Sequence, residues 1–271
     1  MTIKTRNRLD FALFIISAAL FVFNVVFLII RISNGTLNLE PFSQYITDKP
    51  FLTRYNPYIT IGSLLYENLF VVVVSYLLVH IFEKTQASDV VFFCLFLMAC
   101  LLDSVRLWIP LFSVNHNYST FLFFIGTVSI MGKILIPLSL LFVVIYGQIG
   151  PKPDIEKYLF LVIMVSGFFA YIIPLNSAVI NPNFSVDYSY KSLLSTITAV
   201  TIIGSLTAEV FINIKQLHTQ KTTIGLAVLS GGILLLSGSS NIVICLISTS
   251  ALVTGTVIFL YELHNQYLFT N

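Results

Sequence analysis

The chain has 271 residues, 57 % of them hydrophobic and only 10 % charged, and a mean hydropathy of +0.93, too little polar surface for a soluble domain. Its net charge of +2 is too small to mark a nucleic-acid binder, so no nucleic-acid partner is expected. Composition therefore points to one domain, residues 1–271, folded as an all-α polytopic transmembrane helical bundle in contact with membrane lipid.

Eight apolar segments follow in chain order: 11–31, 58–82, 89–112, 120–146, 157–180, 192–214, 222–238 and 241–263. The first follows Lys4, Arg6 and Arg8. It is too long for the apolar core of a signal peptide and lacks a small-x-small cleavage site, so a retained span is expected. A polar loop, 32–57, comes next and carries Phe42, Tyr45, Ile46, Phe51, Leu52 and Tyr55. It reads either as a lid over one mouth of the bundle or as an aromatic belt at the membrane interface.

The second segment sets Thr60, Ser63 and Glu67 on one helical stripe. The third does the same with Ala99, Asp103, Arg106 and Pro110, and the fourth with Gly126, Ser129, Lys133 and Pro137. In the fifth, Gly167 and Pro174 are possible kinks. The sixth has the longest polar stripe, from Ser195 through Thr198, Thr201, Ser205 and Glu209 to Asn213. Polar stripes on apolar helices face the bundle interior, since the lipid side must stay apolar. The final run, 222–263, is about twice a bilayer core in length, and Gly238-Ser239-Ser240-Asn241 is the best place for a turn that divides it. Seven spans with one long tilted final helix is the alternative.

Lys and Arg set the orientation. With the N-terminus inside, Lys4, Arg6, Arg8, Lys84, Lys152, Lys157, Lys215 and Lys221 lie inside, against Arg31, Lys49, Arg54 and Lys191 outside. Asn34, Asn117 and Asn183, each in an Asn-x-Ser/Thr acceptor, then fall in outer loops. The expected location is the cell membrane, the cytoplasmic membrane if the source is bacterial.

The candidate site residues are the ionisable ones inside spans: Glu67, Asp103, Arg106, Lys133 and Glu209. Charge in hydrocarbon costs a few kcal/mol per residue, so such groups face a partner, water or a ligand. By helical rise, Glu67, Asp103, Arg106 and Lys133 share the outer half and sum to zero charge. Asp103 and Arg106, three apart, can pair on one helix, leaving Glu67 for Lys133. Such a cluster is either a set of helix-to-helix ion pairs or a polar pocket in which Lys133 or Arg106 meets an acidic ligand group, or Glu67 a basic one. Glu209 lies in the inner third, where no span offers a cation; it is expected to be protonated, to reach Lys215 or to touch water.

Cys94, Cys100 and Cys245 lie in apolar runs without metal-ligand spacing. His80, His116, His218 and His264 sit scattered at span ends. No zinc-protease, nucleophile-elbow or phosphate-cradling motif occurs, so neither an enzyme nor a cofactor is expected. The leading expectation is a ligand-responsive receptor or sensor module that takes a small polar ligand and signals through a separate partner protein. A transporter of a small polar or charged solute is the alternative, and an accessory subunit with purely structural charges a third.

Overall fold

A backbone inside a bilayer has no water to bond, so each apolar segment must satisfy its own N–H and C=O groups, and most of this chain is helical as a result. A computed structural model describes residues 3–37, 39–45, 50, 52–82, 88–114, 119–147, 155–216 and 221–269. The helices are α1 (Ile3–Ser33), α2 (Glu40–Ser43), α3 (Pro57–Ile81), α4 (Ser88–Ser104), α5 (Trp108–Leu111), α6 (Ser119–Gly147), α7 (Ile155–Ile172), α8 (Lys191–Gln216), α9 (Lys221–Ser237) and α10 (Ile242–Phe269). A 3-10 turn, Val105–Leu107, joins α4 to α5, and the segment Asp89–Leu111 acts as one span. Among the described residues, seven helical segments are long and apolar enough to cross a membrane, and α9 is a shorter apolar helix of 17 residues.

Opposite ends of the bundle are told apart by contacts. At one end Arg6 donates to the Phe82 carbonyl, and the Phe82 ring meets His264 edge-on at 6.1 Å. The start of α1, the end of α3 and the last turns of α10 therefore share this terminal end. At the other end the Asn56 N–H donates to the Ser240 carbonyl at 3.0 Å, and the Tyr55 hydroxyl to the Pro182 carbonyl at 2.9 Å. Among the described residues α9 and α10 are thus separate helices on either side of Gly238.

α9 and α10 form the closest helix pair. A Cβ on Gly255 would stand 2.5 Å from the Leu229 backbone nitrogen, so only glycine permits this approach. Gly225 and Gly232 abut Phe259 and Leu252, and this reverse order marks the pair as antiparallel. The main apolar core, with Phe70, Leu78, Phe92, Phe93 and Phe96, fills the half towards the terminal end. A second, with Phe42, Leu107, Leu122 and Phe184, closes the opposite end.

Two segments depart from the expected spans. The fifth stops at Ile172 instead of 180: after Pro174, which has no N–H to continue a helix, Leu175–Ile180 (β1) pairs antiparallel with Val186–Tyr188 (β2). The first helix starts at Ile3, eight residues before the apolar run at 11, and it buries Arg6 and Asp10. There Asp10 pairs with Arg6 at 3.7 Å and accepts from the Cys94 thiol at 2.8 Å.

The loop before α3 folds inwards over this hairpin. Phe42 meets Phe184 edge-on at 4.7 Å, and the Tyr45 hydroxyl donates to the Ile180 carbonyl at 2.9 Å. Phe42, Tyr45 and Tyr55 thus cover the hairpin, while Leu52 is exposed. Ile46, Phe51, Lys49, Lys84, His116, Asn117, Lys152 and His218 lie outside the described residues.

Candidate functional site

The site is built where α4 and α6 touch. Gly132 makes this possible: a Cβ there would stand 2.6 Å from the Asp103 nitrogen and 2.7 Å from the Ala99 carbonyl oxygen. The close approach brings Ser129, one turn before Lys133, against Asp103. Pro110 withholds the N–H that would bond the Arg106 carbonyl in a regular α-helix, in keeping with the tightened turn at Val105–Leu107.

Asp103 is completely buried and fully engaged. Its Oδ1 accepts from the Ser129 hydroxyl at 2.9 Å and its Oδ2 from the Ser237 hydroxyl at 2.8 Å, and Arg106 Nη2 stands 3.1 Å from Oδ2 as an ion pair. Arg106 Nη1 also donates to the Ser237 carbonyl at 2.7 Å and the Asn183 carbonyl at 3.3 Å. One ion pair thereby ties α4, α6, the end of α9 and the hairpin turn together. This density of charge-assisted bonds is what a buried pair needs to offset its desolvation.

Glu67 has the opposite surroundings. It is 0 % exposed, and neither carboxyl oxygen has a hydrogen-bond partner among the described residues. Asp103, Arg106 and Lys133 all act on it electrostatically. The expected Glu67–Lys133 pair does not form: Lys133 makes no ion pair or hydrogen bond among the described residues. Its ammonium instead lies 5.6 Å from the centre of the Tyr188 ring, a cation–π distance that draws it towards the hairpin.

Lys133 and Tyr188 line a partly open cavity of about 350 Å³ at the hairpin end. Asn181, Asn183, Ser185 and Lys191 contribute polar groups to its wall, and Gly238 and Ser240 close it from the α9–α10 turn. Lys191 pairs with Asp187, while Asn181 Nδ2 donates to Asp187 Oδ1 at 3.2 Å. Burial would raise the Asp187 pKa, but the hydrogen bonds from Lys191 and Asn181 and the Lys191 charge outweigh it and hold the carboxyl below its ordinary value. Lys133 and Lys191 are near enough to repel. Lys133, beside amide and hydroxyl groups and with Lys191 already paired to Asp187, gives a wall suited to a small anion.

The structure thus brings Glu67, Asp103, Arg106 and Lys133 into one electrostatic cluster and leaves Glu209 apart. Glu209 is buried on α8, has an interaction partner of its own, and is not among the charges acting on Glu67 or Lys133. The α8 stripe faces inwards at Ser205 and Glu209, but Ser195 is exposed. The residues that sequence reasoning missed are Ser237, Asn183, Asp187 and Tyr188. The Asn181-Pro182-Asn183 triplet is a turn signal that marks where the hairpin ones would meet the site.

Compared with known proteins, the chain matches no family model, no curated protein and no solved structure.

Proposed function

We propose that this multi-pass membrane protein is a ligand-responsive module whose pocket at the hairpin end binds the anionic group of a small acidic solute. The observation that carries this reading is Lys133, a half-buried cation that lines the cavity and has no ion pair or hydrogen bond among the described residues. A lysine retained in a bilayer without a protein counter-ion is a ligand-site residue by default. The cavity wall is shared by α6, the hairpin, the start of α8 and the α9–α10 turn, so an anion seated there would tie four separate elements together. Their relative positions would be biased by binding, as a receptor requires. The orientation read from Lys and Arg supports a pocket facing the outside of the cell membrane, with the terminal end free for a separate signalling partner.

Purified protein titrated with lactate and with sulfate tests the reading. Binding is expected in the native chain, with loss of about tenfold or more in Lys133→Met, since a buried charged contact contributes over ~1.4 kcal/mol. Saturable binding without lactate uptake into proteoliposomes supports a receptor; uptake makes the protein a transporter. A membrane-impermeant thiol reagent should reach Ala178→Cys, on the exposed face of β1, from outside. Absence of binding, or equal binding by Lys133→Met, would overturn the anion site.

A further inference from the structure

The cluster holds two acids and two bases, and they differ sharply in how they are held. Asp103 and Arg106 neutralise each other and are held by Ser129, Ser237 and Asn183, with only the Arg106 Nε left without a hydrogen-bond partner among their described polar atoms. That leaves one unbonded acid, Glu67, and one unbonded base, Lys133. With Glu67 ionised the cluster is neutral, and an arriving anion would leave a net negative charge in a buried place, which is costly. With Glu67 protonated the cluster carries one positive charge, which the anion neutralises. Anion and proton are therefore favoured together, and Glu67 is the group that can take the proton without breaking a bond.

We propose that anion binding at Lys133 is coupled to uptake of a proton by Glu67. The proposal rests on the reading of the pocket as an anion site and adds its regulation: affinity rises as pH falls. The proton comes from solvent and adds to a Glu67 carboxylate oxygen, and the anion binds unprotonated. Glu67 faces Asp103, Arg106 and the Cys100 thiol from α4 and its 3-10 turn, and Lys133 from α6. The other helices packed on α3, namely α1, α9 and α10, bring no further charge that acts on it among the described residues. Around the pocket itself, Asp187 stays ionised because Lys191 and Asn181 hold it below its ordinary range. The Tyr188 phenol stays neutral, pushed up by burial and by the Asp103 and Asp187 charges. Neither competes with Glu67 near neutral pH.

The experiment is a lactate titration of the purified full chain between about pH 5.5 and about pH 7, where lactate is almost wholly ionised and a lysine ammonium keeps its charge, repeated with sulfate and in buffers of different ionisation heat. The native protein should take up a proton per anion, and its affinity should fall by up to about tenfold per pH unit as pH rises. Glu67→Gln, which mimics the protonated acid, should bind at every pH with no slope and no proton uptake. Infrared difference spectra of the native protein supply a second readout independent of that variant: lactate should convert a carboxylate band to a protonated-carboxyl band. A flat pH profile with intact binding, a slope that persists in Glu67→Gln, or no infrared conversion would overturn the coupling while leaving the anion site standing. If neither lactate nor sulfate binds the native protein at any pH, the anion site falls and the coupling falls with it.

Discussion

Asp103 and Glu67 are both buried carboxyl groups, and their neighbours make them energetically unlike. Asp103 accepts bonds from Ser129 and Ser237 and pairs with Arg106, whereas Glu67 accepts none among the described residues. Removing the Asp103 charge leaves the Arg106 guanidinium buried without a counter-ion, a loss of about 3–5 kcal/mol for a broken buried pair. Glu67→Gln removes a charge that nothing bonds, and its cost should stay under about 1 kcal/mol. Asp103→Asn should therefore lower the thermal midpoint in detergent severely while Glu67→Gln barely moves it; equal losses would mean that Glu67 has a structural partner. The positions of both acids were legible in the sequence, because helical spacing set them on stripes of small polar residues. Their different fates were not. Those depend on Ser237 and Asn183, more than 75 residues away from Arg106 along the chain, and local periodicity carries no information about such contacts.

Among the elements, the α4–α6 contact decides the site's geometry. The atoms that a Cβ on Gly132 would strike are backbone atoms of α4, which cannot rotate aside. Gly132→Ala should force the helices apart, at a cost of about 1–3 kcal/mol for overpacking, and loosen the Ser129–Asp103 bond. Gly204, on α8, has nothing within 4 Å of its Cβ position, so Gly204→Ala should be neutral or slightly stabilising through helix propensity. Thermal unfolding of the two variants side by side checks this, and equal effects would show that the close approach is not what holds α4 on α6. The hairpin was the element that sequence reasoning lost. Leu175 to Ile180 is an apolar run that suits a buried helix end as well as a strand, and Pro174 was read as a kink inside a span when it ends the helix. The turn in the final apolar run fared better, since Gly238 and its polar neighbours have no other role between two apolar runs.

Across the whole molecule, the distribution of charge among helices bears on how the chain enters the membrane. α4 and its 3-10 turn carry Asp103 and Arg106 as an internal pair, so this segment is self-neutralised when it leaves the ribosome. α3 and α6 are not: each brings one uncancelled charge, Glu67 or Lys133, that meets its opposite only across the assembled bundle. A lone ionised residue at a helix centre disfavours insertion by roughly 2.5–3.5 kcal/mol. A chain truncated after α4 should thus hold α3 across the bilayer less firmly than one extended through α6, as protease protection of the nascent chain would measure; equal protection would refute the idea. The order of synthesis makes α3 wait for α6. During that interval the carboxyl of Glu67 is best carried as a neutral acid, so the group that takes a proton with an arriving anion is one that crosses the lipid in that same neutral form.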